Sequence, residues 1–184
     1  MKGKTAMKER KLTLYISMSL DGFLATKDDD ISWLSMVEQP GEDYGYYTFT
    51  EQVDTYIVGN QTYETVMKLT GGEFPQAKQY DCYVITRQSK EPVDGITYYS
   101  GDIKTLVTKL KNKPGGTIYC DGGGQIVKLL MEHNHIDEYI ISIIPIILGD
   151  GKRLFHGGIE GFKLKAQDCK KYDSGLVQLT YTKN

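Results

Sequence analysis

Three short segments of this chain combine small, hydroxyl-bearing or cationic residues in ways that can hold a phosphate. The first, Cys120-Asp121-Gly122-Gly123-Gly124-Gln125-Ile126, runs from a β-prone stretch into a helix-prone one. Its glycines let a phosphate approach the backbone with no Cβ in the way, and a helix starting there offers unpaired N–H groups at the positive end of its dipole. The same residues also make a plain strand–helix corner, since they match neither G-x-G-x-x-G nor G-x-x-x-x-G-K. In the second, Val58-Gly59-Asn60-Gln61-Thr62-Tyr63-Glu64, Gly59 closes an apolar run. Thr62 there either caps the helix that follows or offers its hydroxyl to a phosphate. The third, Ile85-Thr86-Arg87, sets a hydroxyl beside a guanidinium. That pair suits a phosphate monoester such as the 2′-phosphate of NADPH, or else Arg87 is an exposed residue at the mouth of a loop.

The elements that must position these segments follow from periodicity. Leu12 to Met18 alternates and is rich in β-formers, as a first strand should be. Polar residues at 28–30 and Pro40-Gly41 mark a long loop around Trp33, and Tyr44 to Val53 reads as a modest helix. Thr55 to Val58, Asp81 to Thr86 and Thr117 to Cys120 read as short buried strands. Ile103, Leu106, Val107 and Leu110 form one helical face, and Ile126, Leu129, Leu130 and His133 another. Tyr139 to Leu148 reads as a long apolar strand in which Pro145 demands a bulge or an edge. Phe162 to Tyr172, a turn at 173–175 and Leu176 to Thr182 predict a closing hairpin. Strands alternating with helices make an α/β domain with a mostly parallel central sheet flanked by helices, and the hairpin adds antiparallel strands. Ligands bind beyond the carboxyl ends of such strands. The phosphate-compatible segments all stand at those ends.

Bulk composition narrows the functional classes. The chain has 184 residues, a length that fits one domain, with residues 1–10 expected as a polar leader and 11–184 as the folded unit. A net charge of -2 gives no electrostatic case for nucleic acid or an anionic membrane. The longest apolar stretch, 139–148, is about half of what a bilayer span needs. Cys82, Cys120 and Cys169 form no CxxC pair, so a disulfide framework and a zinc site are both disfavoured and a reducing, cytoplasmic setting is expected. His133 and His135 face opposite sides of a helix and make a poor metal clip, so no metal is expected.

In order, Ser19-Leu-Asp-Gly-Phe-Leu-Ala25, Val58 to Glu64, Val84-Ile-Thr-Arg87 and Asp121 to Ile126 resemble the dihydrofolate reductase-like superfamily. The tail from Asp137 through Pro145 and Leu148-Gly-Asp-Gly151 to Phe155 is similar to one branch of it, the C-terminal reductase domain of bacterial riboflavin-biosynthesis deaminase/reductases and its stand-alone relatives. The resemblance covers residues 11–183 and implies an NADPH-dependent reductase acting on a pyrimidine or pteridine-like small molecule, the riboflavin-pathway ribosylaminopyrimidine being one candidate. True dihydrofolate reductase activity and a non-catalytic dinucleotide-binding protein are the alternatives. By the same resemblance, Ser17 and Met18 border the nicotinamide and Leu24 covers it. Gly59 and Thr62 lie along the pyrophosphate, Thr86 and Arg87 face the 2′-phosphate, and Gly122 and Gly123 form a cis peptide continued by Gly124, Gln125 and Ile126. Asn60 stands where such reductases often carry arginine, which removes one cationic contact.

A dihydrofolate-type site also needs a carboxylate near the substrate. Asp43, with Glu42 beside it, lies sixteen residues before Gly59 and is the candidate, unless it serves the dipole of a starting helix. Asp21 either approaches the substrate or closes the turn before Gly22, and Trp33 either packs on the substrate ring or anchors its loop. An isologous homodimer is expected to cover a sheet edge left by the 139–148 strand and the hairpin.

Overall fold

The computed structural model describes residues 10–184. Its elements begin with strand β1 (Leu12–Ser19), the short strand β2 (Phe23–Ala25), a 3-10 turn over Ser32–Val37 and the one-turn helix α1 (Tyr46–Thr50). Strand β3 (Val53–Gly59) leads into α2 (Asn60–Leu69), followed by β4 (Asp81–Ile85), β5 (Ile96–Tyr99) and α3 (Ile103–Lys111). Then come β6 (Thr117–Cys120), α4 (Gly124–Glu132), β7 (Glu138–Ile144), the two-residue β8 (Lys152–Arg153), β9 (Leu164–Lys171) and β10 (Val177–Lys183). An eight-stranded sheet is ordered β5-β4-β3-β6-β1-β7-β10-β9, and β2 pairs with β8 in a separate ribbon. All pairings from β5 to β7 are parallel, while β10 is antiparallel to both β7 and β9.

Alternation along the central strands divides the core between the two faces of the sheet. Leu12, Leu14 and Ile57 point to one face, where Ile103, Leu106, Val107 and Leu110 of α3 and Ile126, Val127 and Leu130 of α4 cover them. Tyr15, Tyr56 and Val58 point to the other, against Tyr63 and Phe74. Because parallel strands are buried on both faces, their sequences read as apolar runs rather than as alternation. Each of the large side chains fully withdrawn from water here contributes about 1.5–3 kcal/mol.

Several expectations need correction. Residues 44–53 do not form one helix: α1 covers only Tyr46–Thr50, and Val53 already belongs to β3. The apolar run at 139–148 is a strand only to Ile144, with Pro145 just beyond its end. It is also no edge, because β7 pairs with β1 on one side and β10 on the other. The free edge on that side is β9, whose strand residues after Leu164 are exposed. His133 is the exposed C-cap of α4 and takes no part in the core face, which Ile126, Val127 and Leu130 form.

Arg10, expected in the leader, is buried instead. Its guanidinium bonds to Thr55 Oγ1 at 2.8 Å and to the Gly116 carbonyl at 2.8 Å, and pairs with Asp54. The rest of the expected leader, residues 1–9, lies outside the described residues. Among the described residues, no helix is long and apolar enough to cross a membrane, and no cluster of three or more His, Cys, Asp or Glu could hold a metal. All three cysteines are free thiols, two of them buried.

Candidate active site

The carboxyl ends of β1, β3 and β6 open into a cavity of about 1170 Å³. On one side it is closed by the starts of α2 and α4, and on another by the β2–β8 ribbon, which brings 149–153 over the mouth. Tyr46, Ile31 and Leu34 line it from the segment between β2 and β3.

Both helices that start here do so on glycine. The N-caps are Gly59 for α2 and Gly123 for α4, and no side chain caps either end. The two turns are tied together, with the Gly59 N–H donating to the Gly122 carbonyl at 2.8 Å. Packing alone accounts for most of the glycines. A Cβ on Gly59 would lie 2.9 Å from Ile126 Cγ1, one on Gly122 would lie 2.8 Å from Ile16 Cδ1, and one on Gly124 would overlap the Arg153 carbonyl. A Cβ on Gly123 would meet only Thr62 Oγ1, at 3.1 Å. The glycines therefore do not by themselves argue for a ligand. The two uncapped helix ends do, because they aim unpaired donors and positive dipole ends into one cavity. That chemistry fits the pyrophosphate of a dinucleotide.

The expected residues separate into two groups. Ser17, Leu24, Gly59, Thr62, Gly123, Gly124, Gln125 and Ile126 all line the cavity. Gly122 is buried beside it and joins Gly123 through a cis peptide bond. Thr62 is the third residue of α2, not its cap. Met18 is half-buried and packs into the core on the α3–α4 face. Thr86 is buried and accepts the Gln88 N–H at 3.0 Å, while Arg87 is exposed directly after the cavity-lining Ile85.

The three residues expected near the substrate lie elsewhere. Asp43 accepts the N–H groups of Tyr47 (2.7 Å) and Gly45 (3.0 Å), which hold its carboxyl below the usual range and occupy it in starting α1. Asp21 takes the Ser19 hydroxyl at 2.6 Å and the Gly149 N–H at 2.7 Å, so it pins the 145–149 loop to the first turn. Its pKa falls for those reasons, the serine bond foremost. Trp33 is buried with Val37, Ile144 and Leu176 and anchors its loop rather than facing the cavity.

Sequence reasoning passed over Asp121. This residue directly follows β6, lines the cavity, and accepts hydrogen bonds from the hydroxyls of Tyr119 (2.8 Å) and Tyr56. Burial pushes its pKa up to about 6, with the two tyrosine bonds acting in the opposite direction. Around it stands an aromatic cage: Tyr119 meets Tyr56 edge-on at 5.1 Å and Tyr46 at 6.4 Å, and Tyr15 meets Tyr46 at 5.7 Å. An acid at a strand end, directly before a glycine run, was the available signal. Its tyrosine partner on β3 lies far away in sequence and could not be paired with it from spacing. The site thus combines an anion-binding end, an aromatic slot and a carboxyl group poised to exchange a proton near neutral pH.

Comparison with known proteins gives the family and the fold. The chain is 39% identical over 176 residues to the uncharacterized protein YwjB of Bacillus subtilis, covering 95% of this chain and 99% of that one. A solved Shewanella sp. PV-4 protein, provisionally assigned to riboflavin biosynthesis, superposes with a TM-score of 0.85 at 25% identity, covering 95% of this chain and 99% of that one. Dihydrofolate reductase from Enterococcus faecalis, solved with NADP(H), shares the fold at a TM-score of 0.62 and 14% identity, covering 95% of this chain and 96% of that one. The family of the RibD C-terminal domain matches residues 10–178. With that match over most of its length, the chain belongs to the RibD C-terminal domain family, on a dihydrofolate reductase-like fold.

Proposed function

We propose that this chain is an NADPH-dependent reductase that passes hydride to a nitrogen heterocycle of pyrimidine or pteridine type. The observation that carries this reading is the convergence of two uncapped helix N-termini on a cavity floored by Asp121. A reduced nicotinamide supplies the hydride when bound. The chain's own residues do the rest. Backbone N–H groups at the starts of α2 and α4 meet the phosphates, Ser17 and Leu24 flank the nicotinamide, and Arg87 serves the 2′-phosphate from the rim. Asn60 is engaged with Glu64 at 3.0 Å and adds no charge there. The aromatic walls exclude water, and Asp121, its pKa raised by burial, can take up and pass on a proton next to the reacting ring. Family membership supports the reductase class. The dihydrofolate reductase alternative leaned on Asp43, which is spent on α1.

Calorimetric titration with NADPH and NADH side by side tests the reading. NADPH is expected to bind the tighter of the two, and binding of neither ends the proposal. An isologous homodimer through the free β9 edge belongs to the same reading, and a monomer mass at micromolar concentration would remove it.

A further inference from the structure

One titratable side chain stands beside the open start of α4. His156 follows β8 by three residues, lines the cavity and is half-buried. A Cβ placed on Gly124, the first residue of α4, would lie 2.6 Å from its Nε2 and 3.0 Å from its Cδ2. A helical Cα–Cβ bond tilts toward the helix N-terminus, so the imidazole met in that direction lies on the open side of the first turn. The Ile126 and Val127 N–H groups already turn back to the Gly123 carbonyl, at 3.0 and 3.1 Å. The open donors of that turn are therefore those of Gly124 and Gln125, and the ring stands next to them.

The charged groups around the ring have partners of their own. On β8, Lys152 Nζ lies 3.7 Å from Asp29, and the Arg153 guanidinium sits 4.6 Å over the Phe23 ring. Lys128 on α4 lies 3.4 Å from Glu132, Asp150 pairs with Lys27, and Asp121 is held by its two tyrosines. Among the described residues, no hydrogen bond or ion pair engages the His156 ring. Imidazole changes its charge near neutral pH. A positive helix end repels an imidazolium when nothing lies between them, and a phosphate placed there attracts both.

We infer that His156 is a further phosphate contact of the cofactor, donating from Nε2 as an imidazolium beside the Gly124 and Gln125 N–H groups, so that the dinucleotide takes up a proton as it binds. The proton comes from solvent and is held on the ring, and no covalent bond of the cofactor changes. This rests on the reductase reading and adds to it a residue and a pH dependence.

The full chain is titrated with NADPH by calorimetry at pH about 7.5, in two buffers of different ionisation enthalpy, which counts the protons bound. The unaltered chain should take up about 0.3–0.5 proton more than His156→Gln, a difference from which titration of the cofactor's own phosphate cancels. At pH about 6.5 the variant should bind NADPH roughly 10-fold more weakly, and the gap should close as pH rises. His156→Lys, charged throughout, should keep the affinity without the extra uptake, so either variant suffices if the other does not fold. Asp121→Asn should leave the uptake in place. Equal uptake by the unaltered chain and the histidine variants overturns the inference, even where affinity differs, because a merely structural histidine would give that result. Loss of the uptake in Asp121→Asn alone overturns it as well. Failure of NADPH to bind at either pH removes the reductase reading instead.

Discussion

Asp102 and Asp121 both precede helices in this fold, and they are used in opposite ways. Asp102 turns its carboxylate onto the helix it starts, accepting the Thr105 N–H and hydroxyl at 2.8 Å each, and those bonds hold its pKa down. Asp121 comes just before α4 but turns to two tyrosines, and burial raises its pKa to about 6. The start of α3 is thereby satisfied within the chain, while the starts of α2 and α4 are left to glycine caps. An N-terminus that caps itself is finished. One left open toward a cavity retains donors for something else.

The largest effect that could sharpen this contrast is expected from Gly124→Ala. A methyl group there overlaps the Arg153 carbonyl and crowds His156, so the β8 segment must move off the open helix end. NADPH affinity should fall by about 100-fold, or ~2.7 kcal/mol, in a fluorescence titration. Next comes the ligand itself. At a hundredfold excess over its Kd, NADPH should raise stability by about 2.7 kcal/mol, read as a shift in Tm. No shift would mean that the open ends need no occupant, and the contrast would fail.

Asp121→Asn probes the other half of the comparison. Because the folded-state pKa of Asp121 lies near 6, above its unfolded value of 3.8, its contribution is fully present below about 3.8 and is lost as pH rises through about 6. The stability of the unaltered chain relative to the variant should therefore decline over that window, by on the order of 2 kcal/mol in denaturant melts. A flat difference would show that Asp121 is not held away from water. The smallest effect belongs to Asp102→Ala, which should lower Tm slightly through loss of the helix cap and leave NADPH affinity alone. If it weakened the cofactor, the two helix ends would not be independent.

What the sequence revealed follows the same division. Residues fixed by the backbone plan were legible: the rule that ligands gather at the carboxyl ends of parallel strands picked out Gly59 and the turn at 122–124 without any contact being known, while Ser17 came from the family resemblance. Residues whose role depends on partners from other strands were not. Asp121 acquires its chemistry from Tyr56, which is adjacent only because β3 and β6 pair. Asp43 is the candidate by its spacing before Gly59, and its carboxylate is instead taken by the N–H groups that start the one-turn α1. The β2–β8 ribbon, two and three residues long, has no periodicity to detect, yet it carries Lys152 and Arg153 to the cavity mouth.

The place of β1 has a consequence for the order in which the chain can assemble. Leu12–Ser19 sits between β6 and β7, pairing Leu14 with Cys120 on one side and Tyr139 on the other. During synthesis β1 must therefore wait, unpaired, until β6 has been made, about two-thirds of the way along the 184 residues, and longer still for β7, whereas β3 and β4 can meet early. Long-range parallel pairing of this kind slows folding and leaves an apolar strand exposed in the interval. The vulnerable moment for this protein is on the ribosome, before the glycine turn that ends β6 exists to receive anything.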